Sequence, residues 1–305
     1  MKMNKKLKGS IALLSATVIW GFAFIAQSVG MDKIGPFTFQ AIRCSLAVVF
    51  LFACTLEGDL KAKDFSKWQD PQLWKAGVIC GCALFVAASL QQIGLVYTDA
   101  GKAGFITAMY IVMVPILGLF LGNKPQKTAV FSVVLAVIGL YLLSCVGVTE
   151  INKGDLFLMG CALAFGVQIN CIDRLAGNLD GLRLNCVQSL VVVVLSLPFL
   201  LATETVDVSS IAACWGSLLF AGVLSMGVAY TLQIVGQKAL EPTTAALIMS
   251  LESVFAALGG WWLLDESMTG YELTGCGLVF VAVILSQLPE KPFRKNLHKN
   301  LQQKW

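Results

Sequence analysis

The amino-acid sequence predicts an all-α membrane protein, in which ten transmembrane helices form two inverted-topology repeats of five helices around a central cavity. This prediction rests on an apolar composition, on ten membrane-length apolar runs and on an internal repeat. Hydrophobic residues make up 57% of the 305 residues and charged residues 13%, whereas about 25% of the residues in a soluble domain are charged. The chain is therefore expected to have the lipid bilayer as its solvent and no nucleic-acid partner.

Ten apolar runs are long enough to cross a hydrocarbon core of about 30 Å. Their predicted limits are 10–29, 36–56, 74–96, 101–121, 127–147, 154–172, 183–202, 211–237, 242–264 and 270–288. The first run follows four lysines, as a signal peptide would. Because it spans about 20 residues without a clear small-residue cleavage site, we predict that it stays as an uncleaved first helix.

The distribution of Lys and Arg predicts the orientation of these helices. With a cytoplasmic N-terminus, eighteen of the 22 Lys and Arg residues fall in cytoplasmic segments and three in outer segments, while Arg43 lies within a helix. Membrane proteins carry their Lys and Arg excess on the cytoplasmic side. We therefore predict a multi-pass protein of the cell membrane with both termini in the cytoplasm.

The two halves of the chain align with each other. Leu90-Gln91 and Leu232-Gln233 begin two segments that align without a gap at an offset of 142 residues. Earlier in each half, Lys8-Gly9 and Lys153-Gly154 match at an offset of 145 residues, which aligns Trp20-Gly21 with Phe165-Gly166. We predict a first five-helix repeat at 1–147, a second at 148–290 and a basic cytoplasmic tail at 291–305. Because five is an odd number, the second repeat enters the membrane in the opposite orientation, and transporters built in this way bind their solutes near the midplane.

Glu252 is the most unusual residue of the ninth run. It lies ten residues after Pro242, which is about 15 Å along a helix and thus near the membrane midplane. A charge at that depth costs about 2.5–3.5 kcal/mol, so Glu252 is predicted to contact solute or carry a coupled proton, with a structural acid as the alternative. The repeat aligns Glu252 with Tyr110, and Arg43 with Gln188. Arg43 is expected to pair with Glu252, to contact an anionic group of the solute, or to extend to the membrane surface.

Further aromatic and amide side chains are predicted to line the cavity, which is expected between helices 1, 3, 4, 6, 8 and 9. With Glu252, Arg43 and Tyr110, the predicted substrate-binding residues are Trp20, Phe24, Gln91, Gln168, Tyr230, Gln233 and Gln237. Such groups suit an amphipathic solute. The alternative for the amides is hydrogen bonding between helices.

No spacing of Cys or His resembles a metal site, and the chain lacks nucleotide-binding and nucleophile motifs. We therefore predict no cofactor, no metal and no catalytic residue. The glycine pairs Gly77/Gly81 and Gly118/Gly122 favour close packing inside the bundle over a dimer contact. The expected partners are thus a small-molecule solute and the bilayer, with a monomer or a weak homodimer as the oligomeric state.

The second half resembles the EamA-type members of the drug/metabolite transporter superfamily. The matching residues are Leu232-Gln233, Gln237-Lys238, Glu241-Pro242-Thr243, Ala245-Ala246-Leu247-Ile248, Ser250-Leu251-Glu252 and Asp265-Glu266. The resemblance implies ten helices around a central cavity, with helices 5 and 10 packed to one side, and the export of amino acids, metabolites or drugs. This sequence has Ser253 where the family usually has proline, which predicts a straighter helix at Glu252.

These features predict a secondary transporter that exports small metabolites, such as amino acids or drug-like amphipathic solutes, by alternating access, with proton coupling as an option. A sugar or nucleotide-sugar carrier of the same superfamily is the alternative, although more cavity cations than Arg43 would be expected. A structural or sensory membrane protein is a third class, but it gives no reason for an inverted repeat around a polar midplane.

Overall fold

The computed structural model describes residues 4–144, 146, 152–263 and 268–288. Within these ranges the secondary structure is helical, and nine helices are long and apolar enough to cross a membrane. A tenth apolar helix, Gly270–Ser286, has 17 residues. The predicted boundary at 147/148, the tail at 291–305 and the family motif Asp265-Glu266 lie outside the described residues.

The ten helices follow the predicted runs in order. Those of the first half are α1 (Lys5–Met31), α2 (Pro36–Ala62), α3 (Pro71–Leu95), α4 (Ala100–Phe120) and α5 (Lys127–Ser144). Those of the second half are α6 (Lys153–Leu175), α7 (Gly181–Thr203), α8 (Trp215–Gln237), α9 (Pro242–Trp262) and α10 (Gly270–Ser286). A short helix, Val208–Ala213, precedes α8.

Local sequence signals set where several helices begin. Pro36, Pro71 and Pro242 occupy the first turns of α2, α3 and α9, where the missing N–H of proline has no intrahelical partner to lose. A capping box of Asn152 and Asp155 begins α6: each side chain accepts a hydrogen bond from the backbone N–H of the other residue. These caps pair the otherwise unsatisfied N–H groups at a helix end.

The helix packing follows the two-fold relation between the halves. Helix α2 packs on its counterpart α7, and α5 packs on its counterpart α10 at one side of the bundle. Helix α1 packs on α8 and α9, just as α6 packs on α3 and α4. The predicted architecture of two five-helix repeats is therefore confirmed.

Two of the helices are interrupted near their middle. Helix α4 consists of the segments Ala100–Ala108 and Tyr110–Phe120, and α9 of Pro242–Met249 and Leu251–Leu263. At the repeat offset of 142, the break in α4 falls within one residue of the break in α9, so the repeat includes the interruption. Helix α9 is thus interrupted beside Glu252 even without the proline usual in the family, and the expectation of a straighter helix stays a prediction.

Serine side chains account for the break in α9 without a proline. The hydroxyl of Ser250 donates to the carbonyl of Leu247 at 2.8 Å, and the N–H of Ser253 bonds to the carbonyl of Ser250 in a tighter turn. Serine hydroxyls compete in this way with regular helical bonding. The hydroxyl of Ser253 then donates to the carbonyl of Gly104 at 2.9 Å, which joins the two interrupted helices.

The contact between α5 and α10 depends on glycine. A Cβ atom at Gly275 would lie 2.5 Å from the carbonyl oxygen of Gly139, whereas one at Gly277 meets nothing within 4 Å. The predicted close packing of Gly77/Gly81 also holds, because both residues lie against α7. For Gly118/Gly122 that prediction is wrong: Gly118 has only ordinary contacts, and Gly122, at φ +86, ends α4 with open space around it.

We expect Gly275→Ala to lower the free energy of unfolding by about 1–3 kcal/mol, because the added methyl group overpacks the α5–α10 contact. The matched variant Gly277→Ala should be neutral or stabilise the same helix by up to about 1 kcal/mol, because alanine favours helix more than glycine does. Thermal unfolding of the purified protein in detergent measures both. Equal melting temperatures for the two variants would contradict the packing described.

Candidate solute site

A cavity lies between the two halves in the middle of the bundle, with about 30 Å³ open to the centre of a water molecule. It is lined by residues of α1, α2, α3, α4, α6, α8 and α9, so it includes α2 besides the expected helices. The lining residues are Trp20, Phe24, Gln27, Arg43, Gln91, Thr107, Tyr110, Phe165, Ile169, Ser225, Tyr230, Gln233, Met249 and Glu252. Eight of the ten residues predicted from the sequence are among them.

Glu252 is buried in this cavity, with 6% of its surface exposed. The hydroxyl of Tyr110 donates to its carboxylate at 3.1 Å, so the two residues that the repeat aligns are in direct contact. The break at Ser250 places Glu252 in the first turn of the segment Leu251–Leu263. Unpaired N–H groups at such a helix start favour a negative charge. The repeat thus brings an acid and its neutral counterpart together at the centre of the bundle.

Arg43 is also buried, with 2% of its surface exposed. Its guanidinium donates to the side-chain carbonyl of Gln27 and lies 5.7 Å from the ring centre of Phe39. Its Nε atom is buried and has no hydrogen-bond partner within the described part of the chain. Extension of Arg43 to the membrane surface is therefore wrong, because the side chain points inward.

The pairing of Arg43 with Glu252 is also wrong for this conformation. In the described ranges neither residue forms an ion pair, and each is bonded to a neutral group instead. The cavity consequently holds a basic and an acidic side chain that are not paired with each other.

Gln27 was not predicted as a site residue, yet it fixes the position of Arg43. Its side-chain carbonyl accepts hydrogen bonds from Arg43 and, at 3.1 Å, from Gln92 on α3. Its amide donates to the carbonyl of Ala23 at 3.1 Å within α1. The other half also contains a glutamine pair, at positions that the repeat does not align with the first pair, since Gln233 on α8 donates to Gln168 on α6 at 3.2 Å.

Two predicted residues lie outside the cavity lining. Gln168 is fully buried and bonds to Gln233, so the alternative of a bond between helices describes it. Gln237 donates to the carbonyl of Ile169 at 3.1 Å and lies one helical turn from Gln233. Of the lining residues that were not predicted from the sequence, Phe165 could have been found, because the repeat aligns it with the predicted site residue Trp20.

Aromatic rings form the apolar part of the cavity wall. Trp20 on α1 meets Tyr230 on α8 edge to face, with 5.0 Å between ring centres. Tyr110 meets Phe165 in a similar arrangement at 6.3 Å. The indole N–H of Trp20 is buried without a partner in the described structure. The wall therefore combines flat apolar surfaces with a few polar groups, which is the usual composition of a small-molecule site.

A wider opening, of about 1220 Å³ by the same measure, lies at the end of the bundle that contains the start of α1. It reaches the ends of α4, α6 and α8 and includes Gln237, one turn from the cavity residue Gln233. Its charged lining residues are Lys6, Lys124, Asp173, Lys238 and Glu241. Partial burial lowers the pKa of Lys238, although Asp180 opposes this.

Polar contacts join the two halves at the opposite end. The carboxylate of Glu204, after α7, accepts hydrogen bonds from the N–H groups of Phe37 and Thr38 at 2.8 and 2.7 Å, at the start of α2. Lys102 at the start of α4 forms an ion pair with Asp155 of α6 at 2.7 Å. Polar contacts also join the halves at the end with the wide opening, where Arg183 of α7 forms a buried ion pair with Asp59 of α2 and Gln126 donates to Glu241.

Comparisons with known proteins agree over nearly the whole chain. The model of the EamA-like transporter family matches residues 7–145 and 152–288. An uncharacterized transporter of Archaeoglobus fulgidus is 33% identical over 287 residues, which cover 93% of this chain and 87% of that protein. The threonine/homoserine exporter RhtA of Escherichia coli K12 is 28% identical over 296 residues, covering 94% and 93% of the two chains.

A solved structure titled "Crystal structure of protein" has a TM-score of 0.77 to this chain at 16% identity, over 92% of this chain and 96% of that one. At this identity the likeness concerns the fold alone. The family matches occupy both halves of the chain and include every residue that lines the cavity. This chain therefore belongs to the EamA-like transporter family and is a multi-pass membrane transporter.

Proposed function

We propose that this protein is a secondary transporter that exports small zwitterionic metabolites of the amino-acid class by alternating access. The observation that supports this most directly is the presence of a basic and an acidic side chain in the cavity. Arg43 and Glu252 are both buried there and form no ion pair with each other.

A buried charge without a counter-charge costs several kcal/mol. An amino acid would supply both missing charges, its carboxylate at Arg43 and its ammonium at Glu252. The guanidinium suits the first role because it binds carboxylates through two parallel N–H groups, and the Nε atom of Arg43 still lacks a partner among the described residues. The rings of Trp20 and Tyr230 would then pack against the solute's side chain.

The shape of the bundle supports alternating access. The cavity lies one helical turn from the wide opening near the start of α1, and hydrogen bonds and an ion pair tie the halves at the other end. With the N-terminus in the cytoplasm, as the Lys and Arg distribution predicts, this conformation would receive solute from the cytoplasm. Release outside would require the ties at Glu204 and Lys102–Asp155 to open.

The cavity is less suited to the alternative solutes. A nucleotide sugar carries phosphate groups, which proteins bind with clusters of cationic side chains. Arg43 is the single Lys or Arg among the described lining residues, and Glu252 would repel a phosphate. A structural or sensory role would leave the costly pair of buried charges without a purpose.

We expect purified protein in liposomes to exchange labelled L-threonine and L-homoserine against an excess of the same unlabelled amino acid. These two probes are chosen because RhtA is described as their exporter. Glucose and UDP-glucose serve as controls and should not exchange above the rate of protein-free liposomes. Exchange of UDP-glucose alone would favour the nucleotide-sugar carrier, and no exchange across a broad amino-acid panel would refute the proposal.

A further inference from the structure

One segment of α8 departs from α-helical geometry. Residues Phe220–Ala229 form a π-helix between the α-helical segments Trp215–Leu219 and Tyr230–Gln237. π-turns are rare, usually span a single turn and are frequent at functional sites. At the repeat offset of 142, the corresponding residues of the first half are 78–87, which lie in the α-helix Pro71–Leu95. The π segment is thus a difference between the two halves.

The π geometry changes which side chains of α8 face the cavity. Ser225 and Tyr230 both line it, five residues apart. In an α-helix of 3.6 residues per turn, such residues point about 140° away from each other. In a π-helix, with roughly 4.4 residues per turn, the angle falls to about 50°. In α3, where the segment is α-helical, Gln91 lines the cavity but the counterpart of Ser225, Ala83, does not.

The end of a π segment leaves one carbonyl group without its backbone partner. The N–H of Tyr230 bonds to the carbonyl of Ser225, five residues back. A return to bonds over four residues at Thr231 skips the carbonyl of Met226. A buried carbonyl in a membrane protein needs another donor, because hydrocarbon offers none.

Asn185 of α7 supplies that donor. Its fully buried side-chain amide donates to the carbonyls of Met226 at 2.8 Å and Gly227 at 3.0 Å, and to the hydroxyl of Thr231 at 3.0 Å. Its own carbonyl accepts a hydrogen bond from Gln188 at 2.8 Å. Asn185 is therefore held in place on α7 and bonded across to the junction where the π segment ends.

The π segment also lies against α2 next to Arg43. A Cβ atom at Gly222 would come within 2.8 Å of the carbonyl oxygen of Arg43, and one at Gly227 within 2.8 Å of the Phe50 ring. A change in the backbone path of this segment would therefore displace the backbone of Arg43 as well as Ser225. Both lie at the solute cavity.

We propose that Asn185 is a positioning residue for the solute site. By bonding to the Met226 carbonyl freed at the end of Phe220–Ala229, it stabilises the π geometry and so keeps Ser225 on the same side of α8 as Tyr230 and Gln233. It acts through α8 and is not one of the residues that line the cavity. Its effect on solute affinity rests on the proposed function, whereas its effect on the π segment does not.

The test compares Asn185→Leu with a matched control, Gln40→Leu. Gln40 is the repeat counterpart of Asn185 at an offset of 145, is equally buried, and bonds to Ser89 and Ser196 but not to α8. In lipid nanodiscs, Asn185→Leu should speed hydrogen–deuterium exchange in residues 220–230. In liposomes it should raise the KM for L-threonine about tenfold with little change in Vmax, because affinity and not turnover depends on the cavity wall. Gln40→Leu should change neither quantity.

A milder variant keeps the test decisive if Asn185→Leu fails to fold. Thr231→Val keeps the shape of the side chain but removes one of the three hydrogen-bond acceptors of Asn185. It should shift the hydrogen–deuterium exchange rate and the KM in the same direction as Asn185→Leu, by a smaller factor. The proposal would be overturned if Asn185→Leu and Thr231→Val both kept the wild-type hydrogen–deuterium exchange rate and the wild-type KM. An equal KM shift in Gln40→Leu would also overturn it. If the wild type moves no amino acid of a broad panel, the proposed solute class fails, and the hydrogen–deuterium exchange measurement still decides the role of Asn185.

Discussion

Glu252→Gln should abolish transport driven by a pH gradient while leaving solute exchange at equal pH intact. The amide has nearly the same shape and can still accept the hydrogen bond that Tyr110 donates at 3.1 Å, so the cavity wall should keep its structure. It cannot take up or release a proton, and Glu252 is the one acid among the described lining residues. Gradient-driven movement of labelled L-threonine in liposomes should fall to the rate of protein-free liposomes, and exchange should continue.

The control for this prediction is the same change at an acid away from the cavity. Glu241 lies in the wide opening and accepts a hydrogen bond from Gln126 at 2.8 Å. Glu241→Gln should leave both gradient-driven transport and exchange near the wild-type rates. Unchanged gradient-driven transport in Glu252→Gln would remove Glu252 as the coupling residue, and the protein would then work by exchange or facilitated diffusion.

The helices could be predicted from the sequence because their lengths follow from the thickness of the bilayer. The repeat alignment went further, since it paired Glu252 with Tyr110 and the structure places the two in contact. An alignment of repeats finds such pairs because residues near a two-fold axis meet their own counterparts. This reasoning does not extend to side chains far from the axis.

The partner of Arg43 shows why the rest of the site was not predictable. Gln27 contacts Arg43 only because α1 presents that face to α2, and the rotation of one apolar helix against another depends on packing that no single helix reveals. The π-helical segment of α8 could not be predicted from the sequence for a related reason. The residues of the π segment are almost all apolar, so their hydrophobicity does not distinguish hydrogen bonds over four residues from bonds over five. The carbonyl freed at its end bonds to Asn185 in a different helix.

Arg43→Gln is expected to raise the KM for L-threonine by about tenfold to a hundredfold, because a hydrogen bond to a charged group contributes about 1.5–3 kcal/mol. The change gives α2 the residue that the repeat already has in α7, Gln188. Gln27 keeps the hydrogen bond from Gln92, so the cavity wall should keep its structure in the variant. The amine 1-amino-2-propanol, which lacks the carboxylate of threonine, should inhibit exchange equally well in the variant and the wild type.

The melting temperature of Arg43→Gln distinguishes a role of Arg43 in binding the solute carboxylate from a role in helix packing. A buried cation without a counter-charge destabilises the empty protein, so Arg43→Gln should raise the melting temperature without solute while weakening solute affinity. Arg174 provides the control, since it donates to the carbonyl of Leu121 at the end of α4 and lies outside the cavity. Arg174→Gln should not alter the KM. If Arg43→Gln lowers the melting temperature and leaves the KM unchanged, the guanidinium serves the packing of α1 against α2, and the carboxylate of the solute must bind elsewhere.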